Sequence, residues 1–208
     1  MPDLSLPFSA TFALIALCVA VSLPGFWALK KREYRDYFVF VPNEVAKGKG
    51  LVGALLSHFA HGDVGHLGLN MLVLYFFGPN VENALGVGPF LIVYAVSGLL
   101  GTLAVFVLRR KDPKHSALGA SGAIAGIVFA TVVVAPTSTF MILLLPIPIP
   151  APIFAVLYLV ASSLMMGRRD HIAHEAHIGG AVAGLVAAGL LYPPGFGPLI
   201  QTVQSMIG

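Results

Sequence analysis

Four polar residues stand where apolar stretches begin: His66, Asn70, Ser121 and His177. A serine, a histidine and two further side-chain donors can together carry acyl transfer. The histidine takes the serine proton during attack and returns it to a leaving amine. The other two donate hydrogen bonds to the oxyanion. Each residue also has a plainer reading. A serine in an apolar helix can bond back to a carbonyl one turn earlier and need no partner. His58, His61, His66, His174 and His177 could be read as a metal cluster. Zinc sites need three convergent ligands, however, and HExxH would place its second histidine at position 178, which is Ile178. No metal and no cofactor are expected. His58 and His61 read as residues that sit at the interface or fix a loop, His115 as a solvated loop residue, and Glu175 as solvated or, more weakly, as a group orienting His174.

These residues can meet only if the surrounding segments bring them together. The chain has 208 residues, 57% hydrophobic and 10% charged. A soluble domain carries about 25% charged residues. This chain has too little charge to cover a globular surface and belongs in a bilayer, with room for about six spans of about 20 residues. The expected fold class is all-α: a polytopic membrane protein, multi-pass, forming one domain over residues 1–208. The expected spans are about 8–29, 65–85, 86–108, 117–136, 152–166 and 174–192, with a short tail at 193–208.

The first connection is long, charged and half apolar, so it is expected to lie partly in the interface. The stretch 137–151 carries Pro146, Pro148 and Pro150, which block helix, and reads as an extended interfacial loop. Arg168, Arg169 and Asp170 read as a hydrophilic turn, and Leu199 to Ile207 as a segment on the membrane surface. The single cysteine, Cys18, reads as a buried small hydrophobe. Met1-Pro2-Asp3 lacks a basic leader, so no cleavable signal is expected. The modest charge of +3, held at span edges, favours headgroups over nucleic acid.

Six spans place the odd-numbered connections on one side. His66 and Asn70 follow the first, Ser121 the third and His177 the fifth, so all four share one membrane face. At about 1.5 Å rise per residue their depths agree within a turn or two. His66 and Asn70 are i and i+4 and so lie on one helix face. Gly119, Gly122 and Gly126 surround and follow Ser121, and Gly180 and Gly184 follow His177. They read as helix-packing glycines, which let membrane helices approach closely. Ser97 and Gly101 give the third span a similar face. Glu175 is two residues from His177 and points elsewhere, so a dyad is expected and not a triad.

From about Ser57 to Leu191 the sequence resembles the rhomboid family of intramembrane serine proteases. Gly119-Ala120-Ser121-Gly122 is similar to its GxSG motif, and Ala176 to Gly184 to its AHxxGxxxG motif. His61 to Asn70 resembles the stretch that opens its second helix, and Gly78 to Gly86 the far end of that helix. The resemblance implies Ser121 as nucleophile, His177 as base, His66 and Asn70 as the oxyanion pair, and Glu82 as structural. It implies a six-helix bundle whose substrates are single-pass transmembrane proteins, cut near the membrane surface, in a bacterial inner membrane. Two positions depart from the family pattern. The Trp-Arg pair of the first loop is absent from Leu51-Val52-Gly53. The aromatic residue four after the serine is Ala125, so His177 must be held another way, through neighbours around His174 and Glu175.

All twelve Lys and Arg lie in odd connections. The positive-inside rule would put that side, and the site, in the cytoplasm. The resemblance implies the opposite face, and the interfacial character of the first connection favours it. The non-enzymatic alternatives are a rhomboid-like binding protein or a small transporter. A transporter needs polar residues near the midplane, whereas here they cluster near one surface.

Overall fold

The structure is a computed structural model describing residues 9–142, 145–166 and 173–207. Met1-Pro2-Asp3 and the turn at Arg168, Arg169 and Asp170 lie outside them. Helix α1 (Ala10–Ala28) begins at residues whose backbone N–H groups have no partner within the helix. Glu82 of α5 (Val64–Leu85) supplies one. Its carboxylate accepts from Ala10 N at 2.7 Å, Thr11 N at 2.9 Å and Thr11 Oγ1 at 2.6 Å. This buried cap accords with the structural part the resemblance gives Glu82. Trp27, near the other end of α1, is exposed and rests on Tyr34.

Between α1 and α5 the chain forms three short helices: α2 (Arg32–Arg35), α3 (Pro42–Val45) and α4 (Leu51–Leu56). A Cβ on Gly53 would lie 2.2 Å from the Asp36 carbonyl, so only glycine lets α4 cross here. His58 closes the connection, its Nδ1 on the Ala54 carbonyl at 3.0 Å and its Nε2 3.0 Å from Thr102 Oγ1. His61 is fully buried, its Nδ1 3.0 Å from Ser22 Oγ. Both histidines therefore fix the loop. Helix α5 starts at Asp63, whose side chain accepts from His66 N at 2.8 Å, and stops at Gly86, with φ of +83°.

Helix α6 (Val87–Arg109) leads to a connection pinned to the first loop. Phe40 and Ala117 exchange both backbone hydrogen bonds at 2.9 Å. Asn43 Nδ2 donates to the Arg110 carbonyl at 2.9 Å. The fourth segment is shorter than expected: α7 runs only from Ser121 to Val134. Residues 117–120 are tied to the first loop, and Gly119, at φ +122°, cannot continue a helix. Every residue of α7 from Gly122 to Val133 is buried, so α7 is the centre of the bundle.

The all-α expectation needs a correction at 137–151. Strands β1 (Thr139–Ile142) and β2 (Leu145–Pro150) pair antiparallel, Phe140 opposite Ile149 and Met141 opposite Pro148. The alternating prolines, which block helix, suit this arrangement. Successive N–H groups of a strand point to opposite edges, so the donors missing at Pro148 and Pro150, in the regularly paired part, share the unpaired edge. Helix α8 (Ala151–Met165) follows, then α9 (His174–Leu191) and α10 (Gly197–Ile207). The tail expected on the surface is thus a helix with no buried residue.

The protein is mostly helical. Among the described residues three helices, α1, α6 and α9, are long and apolar enough to cross a membrane, and α7 and α8 are apolar but shorter.

Candidate active site

Helix α9 packs into the angle between α6 and α7 through small residues. A Cβ on Gly180 would lie 2.0 Å from the Gly122 carbonyl oxygen, and one on Gly184 2.2 Å from that of Gly126. A Cβ on Gly101 would lie 2.7 Å from the Ala176 carbonyl. Gly126 also receives Ser97. The two glycine stripes therefore let α7 close on α9. Gly119 belongs to another class. It lies outside the helix, and a Cβ there would meet His66 Cε1 at 2.9 Å. Its N–H donates to the Ser57 carbonyl at 2.8 Å. It shapes the turn before Ser121 and is not a helix-packing glycine.

This close approach sets Ser121 Oγ 2.8 Å from His177 Nε2. Both groups are half-buried, at the start of their helices. His66 lies over the Gly119 turn, and its ring meets His61 edge-on at 5.1 Å. Burial, with His66 beside it, pushes the His61 imidazole down to about 4. Asn70 is buried, and its Nδ2 donates to the His66 carbonyl at 2.9 Å. One of its two amide N–H groups is thus held within α5, while His66, one turn earlier, reaches the serine turn. The first N–H groups of α7, that of Ser121 included, have no partner within the helix. A cavity of ≈ 30 Å³, bordered by Ser57, His58, Thr102 and Ser121, has room for a water molecule.

Two readings of charged groups change. Glu175 is not solvated: its side chain is 2% exposed and binds Arg109, with Arg109 Nε donating at 2.8 Å and Nη2 to the same oxygen. His115 is not freely solvated either, since its Nε2 is buried. Burial, then the neighbouring Arg109, lowers its pKa.

Among the described residues the His177 ring has two aromatic neighbours. His174 stands edge-on at 6.0 Å, and Tyr158 of α8 lies at 6.5 Å, tilted by 34°. His174 is a neighbour the motif suggested. Tyr158 and Arg109 were not singled out. A search for an aromatic able to cover the space at Ala125 would have reached Tyr158, a tyrosine in an apolar helix. Nothing local in the sequence links Arg109 to Glu175, 66 positions apart.

A serine hydroxyl within hydrogen-bond distance of a histidine, set in a bundle with helices able to cross a bilayer, defines an integral membrane protein with a candidate nucleophile–base pair. Residues 49–194 match the family model for the Rhomboid domain. The chain belongs to the rhomboid family. It is 31% identical over 190 residues to "Rhomboid protein 1, mitochondrial" of Saccharomyces cerevisiae, covering 86% of this chain and 52% of that protein. To "Presenilin-associated rhomboid-like protein A, mitochondrial" of Danio rerio it is 33% identical, over 70% of this chain and 39% of the other. To "Rhomboid protease GluP" of Bacillus subtilis it is 36% identical, over 71% of this chain and 27% of the other. The chain spans about half, or less, of the length of these curated relatives.

Proposed function

We propose that this protein is an intramembrane serine endopeptidase that cuts transmembrane-helix substrates near the membrane surface with a Ser121–His177 dyad. The observation that carries the reading is the 2.8 Å contact between Ser121 Oγ and His177 Nε2. The relative named a protease lends support.

The steps follow from these atoms. Neutral His177 accepts the Ser121 proton at Nε2 as Oγ attacks the scissile carbonyl carbon. The carbonyl oxygen becomes an oxyanion, and His66, Asn70 and the Ser121 N–H are the proposed donors to it. Asn70 keeps one amide N–H on the His66 carbonyl and has its second N–H for the oxyanion. The amine leaves with the proton carried by His177, giving an acyl-Ser121. A water then attacks the acyl carbon, losing its proton to His177; the acyl carbon–Oγ bond breaks, His177 returns that proton to Ser121 Oγ, and the new carboxyl end of the substrate leaves. The cavity bordering Ser121 is suited to supply that water. Glu175 stays on Arg109 and plays no part in proton transfer.

The proposal includes a six-span bundle, with α1, α5, α6, α7, α8 and α9 crossing the bilayer, as a single domain over residues 1–208. Substrates are single-pass transmembrane proteins, and neither metal nor nucleic acid takes part. We place the protein in a bacterial plasma membrane. Of the relatives named above one is bacterial and two carry mitochondrial names, so membrane fractionation of the source cell is the check.

The test is incubation of detergent-solubilised protein with a model single-span substrate. Wild type is expected to release two fragments cut at the helix edge, and Ser121→Ala none. Equal cutting by both, or none by either, would overturn the proposal.

A further inference from the structure

Ala125 lies one helical turn after Ser121, at the position where the family pattern has an aromatic residue. Ala125 is 6% exposed, so other groups cover it. It shares a packed cluster with Phe129, Phe154 and Tyr158. Tyr158 is the member whose ring reaches His177, at 6.5 Å and 34°. That ring is itself held. Phe129 of α7 meets it edge-on at 5.4 Å, and Phe154, one turn earlier on α8, lies at 6.0 Å. Phe154 in turn meets Phe140 of β1 at 5.0 Å, and Phe140 meets Phe77 of α5 at 5.0 Å. A continuous file of rings thus runs from α5 through the hairpin and α8 to the imidazole. Aromatic pairs at these separations favour edge and tilted arrangements, so each ring restricts the next.

Helix α8 has little else to hold it. Only Ala151 and Ser162 along its length are buried. The contact between Tyr158 and His177 therefore joins the lightly packed α8 to the tightly packed α9.

We infer that Tyr158 is a positioning residue for the Ser121–His177 dyad: it holds the imidazole with Nε2 toward Ser121, and it does so only while α8 is packed against α7 and α9. The inference rests on the proposed peptidase reading. His174 covers the ring edge from α9 itself, so Tyr158 is the support that arrives from a separate helix. Displacing α8 would release the ring and slow the chemistry without altering either dyad residue.

The test uses the full chain in detergent and two readouts: the rate at which a fluorophosphonate labels Ser121, and kcat and KM on a model single-span substrate. Tyr158→Phe keeps the ring and is expected to stay within twofold of wild type in both. Tyr158→Leu keeps apolar bulk but loses the ring. It is expected to lower the labelling rate and kcat together by about tenfold, the scale of one lost aromatic pair, with KM unchanged. Loss of apolar packing alone would strike stability and spare the labelling rate, so thermal midpoints are measured alongside. A Tyr158→Leu protein that labels within twofold of wild type overturns the inference while leaving the peptidase reading intact. So does a Tyr158→Phe protein as slow as Tyr158→Leu, since the ring would then not be the cause. If the wild type itself is never labelled, both fall.

Discussion

Glu175, two residues before His177 on α9, is bound to Arg109 at the last turn of α6, and its carboxylate is almost fully shielded from solvent. The carboxylate is buried and the guanidinium partly exposed, so losing Arg109 leaves a buried charge unpaired, whereas losing Glu175 leaves a cation that water can reach. Arg109→Gln is expected to destabilise the protein by about 3 kcal/mol, the low end for a buried pair, and Glu175→Gln by less. The double variant Arg109→Met/Glu175→Leu should lose much less. Thermal unfolding of the three variants in one detergent checks this. Single and double variants of equal cost would mean that the pair is exposed to solvent.

The approach of α7 to α9 has no room for a side chain at Gly180 or Gly184, since a Cβ would meet backbone oxygen at 2.0 and 2.2 Å. Backbone cannot step aside as a flexible side chain can. Overpacking costs about 1–3 kcal/mol, and a shift of α9 carries His177 away from Ser121. Gly180→Ala and Gly184→Ala are each expected to lower the thermal midpoint. Gly180→Ala, nearer the dyad, should also cut the substrate-cleavage rate more deeply. Gly88, whose Cβ would meet nothing, is the control.

His61 supplies a pH dependence. Its pKa is pushed down to about 4 in the folded protein, against about 6.5 when unfolded. Between those values the unfolded chain binds the extra proton, so stability falls as pH drops from about 6.5 to about 4 and is level in this respect above that window. The loss is on the order of 3 kcal/mol. His115, also lowered by burial, acts in the same direction. Thermal midpoints measured from pH 7.5 to 4.5 should decline, and His61→Gln should flatten that decline. An unchanged slope in the variant would remove His61 as its source.

His66 and Asn70 are expected to act after Ser121 has attacked. Removing one oxyanion donor costs about 10²–10³ in kcat. His66→Ala, which clears the ring from the Gly119 turn, should show that loss with KM little changed. Asn70→Ala should show a loss of the same kind, because one amide N–H stays on the His66 carbonyl and the second is left to donate. Wild-type kcat in Asn70→Ala would remove Asn70 from the oxyanion site.

The contact between Ser121 and His177 was legible because the expectation depends on counting. If six spans cross, odd connections share a face, and glycines at i, i+4 mark close approach, so the two residues could be placed together from the sequence. The course of 117–120 and the hairpin at 139–150 were less legible. The first depends on a positive φ at Gly119 and on a bridge to Phe40, distant in sequence. The second depends on alternating prolines, whose helix-blocking effect is local but whose pairing partner is not. Arg109 with Glu175 and Tyr158 with His177 are tertiary pairs, and residue type alone does not say which charges or rings will meet. Glu175 was read as solvated because a carboxylate usually is, and the guanidinium that makes its burial tolerable comes from another helix.

The claim on which the rest depends is that Ser121 is a nucleophile activated by His177. A fluorophosphonate reacts with an activated serine, so mass-spectrometric mapping of the adduct on detergent-solubilised protein tests it directly. The adduct should sit on Ser121, vanish in Ser121→Ala, and fall at least about a hundredfold in His177→Ala, the scale of general-base assistance. Unlabelled Ser121 in folded wild type, or labelling indifferent to His177, would contradict it.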